Sequence, residues 1–194
     1  MLDKTLPYFN IIMKRLKGTE FPKVILPDGF SFSSFVDGDE IYWAEIETSI
    51  GEFDNVEEAL NCFRNEYLTN INELKKRLIF IQNKEGKKVG TLTNWWNYSQ
   101  GVRDPSIHWV GIIREFQGLG LGKAIVFEGM RRMIELEGDR DLFLHTQTWS
   151  YKAINIYIQA GYKIVNDETF GDYINESEKA MPIIRDKIDI IKSV

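Results

Sequence analysis

The stretch EFQGLGLGKA, residues 115–124, places glycines at positions 118, 120 and 122, directly before Lys123. A glycine in a regular element costs about 0.5–1 kcal/mol relative to alanine, so three within five residues indicate that bare backbone is needed there. Backbone N–H groups at the start of a helix are a common binding site for phosphate. The stretch therefore predicts a loop that binds a phosphate-bearing ligand.

Two common phosphate-binding loops do not fit this stretch. A dinucleotide-binding GxGxxG that begins at Gly118 needs a third glycine where Lys123 stands. A P-loop that ends at Gly122 and Lys123 needs a glycine where Gln117 stands. The pattern that fits is Gln-x-x-Gly-x-Gly, formed by Gln117, Gly120 and Gly122.

Hydrophobic periodicity around the loop indicates an α/β domain. The nearly continuous apolar run 107–113 predicts a buried strand just before the loop, and a 3.6-residue period predicts a helix over 124–136 after it. Further strands are predicted over 30–36, 41–48, 78–82, 88–93, 142–146 and 162–165, and further helices from Asp54 onward and over 151–160. Antiparallel hairpins therefore come first, followed by strand, loop, helix, strand, helix and strand.

The two ends of the chain also carry helical patterns. Leu2, Leu6, Phe9, Met13 and Leu16 recur at helical spacing, which predicts an amphipathic helix docked on the domain; an anchor on a membrane surface is the alternative. The first eighteen residues lack the apolar core and cleavage site of a signal peptide. The tail is predicted to be partly helical over 186–191.

Composition restricts the class of protein. A chain of 194 residues, 43% of them hydrophobic, is long enough for one packed domain. A net charge of −5 disfavours general binding to nucleic acid, because that binding requires neutralisation of phosphates. The one cysteine, Cys62, which we interpret as a core residue, permits neither an intrachain disulfide nor a cysteine-built metal site and suits a reducing compartment. Because no eighteen apolar residues run together, we expect a cytoplasmic protein without a bound metal or a membrane span.

A second motif follows the loop about thirty residues later. Ser150, Ala153, Tyr157, Gly161 and Tyr162 have the spacing Asn-x-x-Ala-x-x-x-Tyr-x-x-x-Gly-Phe/Tyr, with serine in place of asparagine. With both motifs in this order, the chain resembles the GCN5-related N-acetyltransferase (GNAT) superfamily over residues 80–166. The segment GDEIYWAEIETSIGEF, residues 38–53, resembles a bacterial-type branch of it more loosely.

The resemblance implies the GNAT fold, an α/β (α+β) domain whose mixed, mostly antiparallel sheet has splayed central strands and flanking helices. The domain is expected over 28–166, with an N-terminal helical extension over 1–27 and a C-terminal appendage over 167–194 packed on it. Strand 107–113 is expected to splay from strand 142–146.

The resemblance also implies acetyl-CoA as acyl donor. Its pyrophosphate is expected on the loop, and its pantetheine arm along a strand in which Gly111 leaves room for close approach. The expected contacts are Val110, Gly111, Ile112, Gln117, Gly118, Leu119, Gly120, Leu121, Gly122, Lys123 and Ser150. For Lys123 a solvated lysine is an equal alternative, and for Ser150 a helix cap.

The catalytic residues are expected to be Tyr157 and His145. Tyr157 occupies the family's proton-donor position, with a core tyrosine as the alternative. His145 ends a strand where one branch has a glutamate, and histidine titrates near neutrality, so it is the expected proton acceptor. His108 is a second candidate, either histidine can instead be structural, and Glu45 or Glu47 could act through a water chain.

The acceptor region is expected to be acidic. Residues 36–59 contain nine acids and no lysine or arginine, and an acidic wall would concentrate a cationic amine; a solvated face is the alternative. Of the neighbouring Trp95 and Trp96, one could line the cleft while the other packs, because successive strand residues point to opposite faces.

The sequence therefore predicts an acetyl-CoA-dependent N-acetyltransferase, acting by direct transfer in a ternary complex on an amine-bearing small molecule or peptide. A non-catalytic acyl-CoA sensor and a protein-interaction module are the alternatives. Both a monomer and a homodimer stay open.

Overall fold

A computed structural model describes residues 2–20 and 22–188 of the chain. Within them the chain forms one seven-stranded sheet, in the order β2-β3-β4-β5-β6-β1-β7. The strands are β1 Asn10–Arg15, β2 Phe30–Ser34, β3 Leu78–Asn83, β4 Lys88–Ser99, β5 Val102–Ile112, β6 Leu142–Gln147 and β7 Lys163–Ile164. The α-helices are α1 Glu40–Ile50, α2 Val56–Tyr67, α3 Ile71–Arg77, α4 Leu121–Glu137, α5 Tyr151–Gln159 and α6 Ser177–Ile184.

The central strands β5 and β6 splay apart, as expected. Their pairing is the parallel one in the sheet, and it consists of a single partner pair, Ser106 with Phe143. All other neighbouring strands pair antiparallel. The gap between β5 and β6 therefore opens beyond that pair, toward the carboxyl ends of both strands.

Helices cover the sheet on both faces. In β3, Ile79 and Ile81 pack into the cluster that contains α4, whereas Leu78 and Phe80 pack into the cluster that contains α1 and α2. Alternate side chains of a strand point to opposite faces, so these two clusters lie on opposite sides of the sheet. The order of elements predicted from 78 to 165 is present in the structure.

The predicted N-terminal helix is wrong, because residues 10–15 form strand β1. The strand lies between β6 and β7, with Ile12 opposite His145 and Met13 opposite Ile164. Ile11, Ile12 and Met13 are all fully buried, since an interior strand is covered on both faces. The predicted helical pattern included residues on both sides of the strand. One of them, Leu16, is 53% exposed and so is not part of a buried face.

The strand predicted over 41–48 is also wrong. The segment is helix α1, whose buried residues are Trp43, Ala44, Ile46, Glu47 and Ile50. These buried residues recur at helical spacing. The Ile and Trp content of the segment favours a strand locally, but packing against the sheet stabilises the helix. The following helix begins after Asn55, whose side chain accepts from the N–H of Glu58, and not at Asp54.

Two smaller expectations need correction. Trp95 and Trp96 do not point apart, since their indoles stack with centroids 4.1 Å apart. At the C-terminus, the α-helix is α6, which ends at Ile184, before the predicted segment 186–191. Of that segment, residues 186 and 187 belong to the 3-10 turn Arg185–Lys187, and residues 189–191 lie outside the described residues. Within the described part of the chain, no helix has both the length and the apolar surface needed to cross a bilayer.

Candidate active site

The glycine loop connects the end of β5 to the start of α4. Gly118 and Gly120 have φ values of 81° and 83°, in the left-handed region that favours glycine, and Gly120 is the N-cap of α4. Gly122 has a different role, because a Cβ atom there would lie 3.2 Å from Ile156 of α5. Two glycines therefore shape the turn, and the third lets the two helices approach.

The glycine loop has open space on its surface, as a binding site for an anion requires. A Cβ atom at Gly118 would meet nothing within 4 Å, and one at Gly120 only Pro27 at 3.9 Å, so the backbone faces open space. The first N–H groups of the 17-residue helix α4 have no partner within the helix, and its dipole favours an anion there.

Gln117 and Lys123 differ in what they contact. The side-chain Nε2 of Gln117 donates to the main-chain oxygen of Ile112 over 2.8 Å, which ties the loop to the last residue of β5. Lys123 is exposed, with its ammonium 5.4 Å from the ring centre of Phe127. The solvated alternative for Lys123 therefore agrees with the geometry.

Strand β5 carries a bulge where it meets the gap. Thr91 pairs with Gly111 but Thr93 pairs with His108, so Trp109 and Val110 together stand opposite one residue. Trp109 has a φ of 48°, which is strained for a bulky side chain. The extra residue of a bulge leaves the ladder locally unpaired, so main-chain groups near Trp109 are available for other partners.

The missing side chain of Gly111 leaves no open space on its face of the strand, because helix α1 fills that space. A Cβ atom there would lie 2.7 Å from Oε1 of Glu47 and 2.9 Å from Ile46, both on α1. The glycine is needed because helix α1 crosses the strand closely at this point.

A cavity of about 430 Å³ lies between the splayed strands. Among the residues expected in the site, it is lined by Val110, His108, His145, Ser150 and Tyr157. It is also lined by residues that were not singled out or were assigned elsewhere, namely Tyr8, Glu52, Glu66, Trp149 and Tyr173. The two expected catalytic residues therefore share one cavity with the bulged strand.

Tyr157 is buried, with 7% of its surface exposed. Burial raises the pKa of its phenol above the ordinary value, and the charges of Glu52 and Glu47 raise it further. The hydroxyl is therefore protonated at neutral pH, as a proton donor must be.

His145 is held by two contacts. Its Nε2 lies 2.8 Å from Oδ1 of Asn10, and its ring stacks on that of Tyr173. Since Nε2 donates to this oxygen, the lone pair is on Nδ1, for which no hydrogen-bond partner is found among the described residues. Burial lowers the pKa of His145 to about 4, with a smaller contribution from His108, so the ring is neutral at pH 7.

His108 is engaged on both nitrogens. Nδ1 lies 2.9 Å from Oε1 of Glu66, and Nε2 lies 2.6 Å from Oδ1 of Asn97. The other Glu66 oxygen accepts from the indole of Trp109 over 2.9 Å. Burial would raise the pKa of Glu66, but the hydrogen bond and charge of His108 hold it below the ordinary value. This network braces the strained Trp109, so the structural alternative fits His108.

Ser150 differs from the alternative expected for it, because its hydroxyl does not cap α5. Instead, its N–H donates to the side chain of Gln147 over 2.9 Å.

Cys62 is a poor nucleophile. Burial raises the pKa of its thiol to about 11, and the negative charges of Glu66 and Glu47 contribute to this increase.

The acidic stretch 36–59 is less uniform than its sequence indicates. Asp37 pairs with Lys75 over 2.8 Å, Asp39 pairs with Lys88, and Glu57 pairs with Arg64 over 3.5 Å. Glu47 is fully buried and does not line the cavity, whereas Glu52 does. The wall facing the cavity therefore holds one acid of the stretch rather than nine.

Comparison with known proteins gives the same architecture. A GCN5-related N-acetyltransferase from Sphaerobacter thermophilus is 21% identical, with a TM-score of 0.64 over 82% of this chain and 50% of that one. A GNAT-family acetyltransferase from Colwellia psychrerythraea is 12% identical, with a TM-score of 0.58 over 82% of this chain and 55% of that one. The chain thus spans about half the length of these structures. No curated protein matches it.

The sequence itself matches a family model. The model of the acetyltransferase (GNAT) family covers residues 39–162, more than half of the chain. The matched region runs from the start of α1 to Tyr162 and contains the glycine loop, the bulged strand β5 and Tyr157. The chain therefore belongs to the GNAT family of acetyltransferases.

Proposed function

We propose that the protein transfers the acetyl group of acetyl-CoA directly to a primary amine in a ternary complex. The observation that supports this most is that Tyr157, a buried and protonated phenol, lines the same cavity as the bulged end of β5. A proton donor next to a strand with free main-chain groups is what transfer from a thioester requires.

We assign the donor site to the loop and the adjoining strand. The backbone of residues 118–123 would hold the pyrophosphate, and the backbone of Val110, Gly111 and Ile112 would accompany the pantetheine arm as an added strand. Gln117 would act by positioning the loop through Ile112. A main-chain N–H of the bulge at Trp109 and Val110 is our candidate for the oxyanion donor.

Two side chains are proposed to move protons. The protonated amine first gives one proton to Nδ1 of His145. Its nitrogen then bonds to the acetyl carbon while the carbon–sulfur bond breaks, and Tyr157 gives its proton to the departing thiolate. The second proton lost by the nitrogen restores the phenol. One ammonium and one thioester thus yield one amide, one thiol and one released proton.

The proposal is tested by measuring thiol release from acetyl-CoA with a panel of amines, polyamines, amino acids and peptides. Release that requires both protein and amine, with formation of the acetylated amine by mass spectrometry, is expected. Binding of CoA without turnover on any acceptor would favour an acyl-CoA sensor instead. Absence of both binding and turnover would favour an interaction module on the same fold.

A further inference from the structure

Glu52 differs from Glu66, the other carboxylate that lines the cavity, because its carboxylate has no partner among residues 2–20 and 22–188. It lies between α1 and α2, is partly buried, and lines the cavity together with Tyr157 and His145. Both oxygens of Glu66 are engaged, by His108 and by Trp109. No hydrogen bond or ion pair to the carboxylate of Glu52 is formed by the residues that the structure describes.

The position of Glu52 is well defined by the end of α1. Gly51 ends the helix in the left-handed conformation, with φ of 94°, and its N–H donates to the main-chain oxygens of Glu47 and Thr48. The N–H of Glu52 itself donates to the main-chain oxygen of Glu47 over 3.1 Å. This closing arrangement is a regular helix terminus. The backbone that carries Glu52 is therefore anchored, and the side chain enters the cavity from a fixed point.

The surroundings of Glu52 favour a cation. Burial raises the pKa of its carboxyl, and the positive charge of Lys4 opposes this only in part. The Glu52 charge in turn contributes to the raised pKa values of Tyr8 and Tyr157, which line the same cavity. A partly buried carboxylate without a partner is unfavourable, and a bound cation would remove this cost.

Aromatic side chains line the same cavity as Glu52. Tyr8 and Trp149 pack edge to face, with ring centroids 4.9 Å apart, and both line the cavity with Glu52. The indole N–H of Trp149 donates to the main-chain oxygen of Leu6 over 2.7 Å, which fixes the ring. The ammonium of Lys4 already lies 5.5 Å from the ring centre of Trp149, so that ring faces one cation of the chain itself. Aromatic faces next to a carboxylate are suited to an ammonium group on an apolar arm, and Tyr8 is the ring that would meet the ammonium of an acceptor.

We infer that Glu52 binds the ammonium group of the acceptor and selects primary amines that lack a neighbouring carboxylate. The inference rests on the proposed function and adds the class of acceptor to it. An α-carboxylate on the acceptor would be placed beside Glu52, and like charges in a partly buried site repel each other. Glu52 is thus a determinant of specificity, whereas proton transfer is assigned to His145 and Tyr157.

The test compares amines with their carboxylated counterparts. The two matched pairs are tyramine with tyrosine and n-pentylamine with norleucine. For the wild-type protein we expect kcat/KM to be at least about 10-fold higher for the amine of each pair. Glu52→Gln should raise KM for the amines about 10- to 100-fold, the loss expected for a charged hydrogen bond, and shrink the preference within each pair. The kcat for the amines should change much less.

The control is Asp54→Asn, which removes an exposed charge two residues away and should leave both preferences unchanged. Calorimetry of CoA binding should give the same affinity for all three proteins, which also shows that they are folded. Two results would overturn the role of Glu52 and leave the proposed function standing. One is wild-type turnover without a preference for the amine over its carboxylated counterpart, and the other is a preference that Glu52→Gln leaves intact. If the wild type acetylates no amine of the panel, the proposed function itself fails and this inference fails with it.

Discussion

The ring of Tyr173 lies flat against the imidazole of His145, with centroids 3.7 Å apart and an angle of 3° between the planes. Asn10 binds the Nε2 edge of the same imidazole over 2.8 Å. Three segments that are distant in the chain therefore fix one ring: strand β1, strand β6 and the residues before α6. This contact removes the ring from water and lowers its pKa to about 4.

The pH dependence of kcat follows from this environment. If His145 accepts the proton, kcat at saturating amine should fall below about pH 4, where the ring becomes protonated, and not near the ordinary histidine value of about 6.5. His145→Gln should lower kcat by about 10²-fold or more and remove this inflection. The measurement is kcat across pH 3.5–9, with acetyl-CoA also saturating.

The matched control for His145 is His108→Gln. That variant should keep the inflection, because His108 is engaged by Glu66 and Asn97 and is not assigned a proton-transfer step. Loss of the inflection in His108→Gln, with wild-type behaviour in His145→Gln, would transfer the role to His108.

Tyr157→Phe tests the proton donor. The substitution keeps the ring and deletes the hydroxyl, so CoA affinity should persist while kcat falls about 10²- to 10⁴-fold. Tyr162→Phe is the control, since Tyr162 is also fully buried and its ring lies 6.3 Å from that of Tyr157, yet it does not line the cavity. A wild-type rate in Tyr157→Phe would remove this tyrosine from the mechanism.

Gly120→Glu tests the loop. It places an anion where the pyrophosphate is proposed to bind, so the Kd for CoA should rise about 100-fold or more, because like charges placed together cost several kcal/mol. Gly138→Glu is the control: it lies at the other end of α4 and also has a positive φ, 75°, and with a ψ of 169° it carries at least as much backbone strain as Gly120→Glu. Equal CoA affinity of both variants by calorimetry would show that the loop assignment is wrong.

Glu47→Gln should stabilise the protein above neutral pH. Glu47 is fully buried, neither of its carboxylate oxygens has a hydrogen-bond partner among the described residues, and burial raises its pKa well above the ordinary value. A carboxyl whose pKa is raised in the folded state contributes stability below its unfolded value, and that stability is lost as the pH rises. A neutral amide avoids this loss.

The expected gain for Glu47→Gln is about 1–2 kcal/mol in the free energy of unfolding at pH 8, and it should disappear near pH 4. Urea denaturation at both pH values measures it. Glu45→Gln serves as the comparison, since Glu45 is exposed on the same helix and should show no such pH-dependent gain. A loss of stability at pH 8 in Glu47→Gln would mean that the carboxylate is stabilised in a way that this structure does not indicate.

Sequence patterns predicted the elements around the glycine loop well. The loop from Gln117 to Lys123 and the spacing from Ser150 to Tyr162 are local, because each pattern spans one turn or one helix. Strand β5 before the loop and strand β6 after helix α4 contain nearly continuous apolar runs, and short runs of this kind indicate buried strands. For these segments the local preference and the tertiary structure agree.

The acceptor half could not be predicted in the same way. Tyr8 and Asn10 were assigned to a helix, yet strand β1 inserts between β6 and β7 and brings both residues to the site. Such an insertion depends on pairing between residues more than a hundred positions apart. The hydrophobic periodicity of a short segment carries no information about that pairing. In the sequence Glu52 is one acid among nine, and only the packing shows that it lines the cavity without a partner among the described residues.

The amino-acid sequence by itself determined the family, the glycine loop and the helix that carries Tyr157, because spacing within a single element is preserved wherever that element packs. Tertiary structure alone decided that helix α1 covers the side-chain face of Gly111, that His108 is engaged by Glu66, and that the hydroxyl of Ser150 does not cap its helix. It also decided the low pKa of His145, because burial depends on what long-range packing places over a side chain.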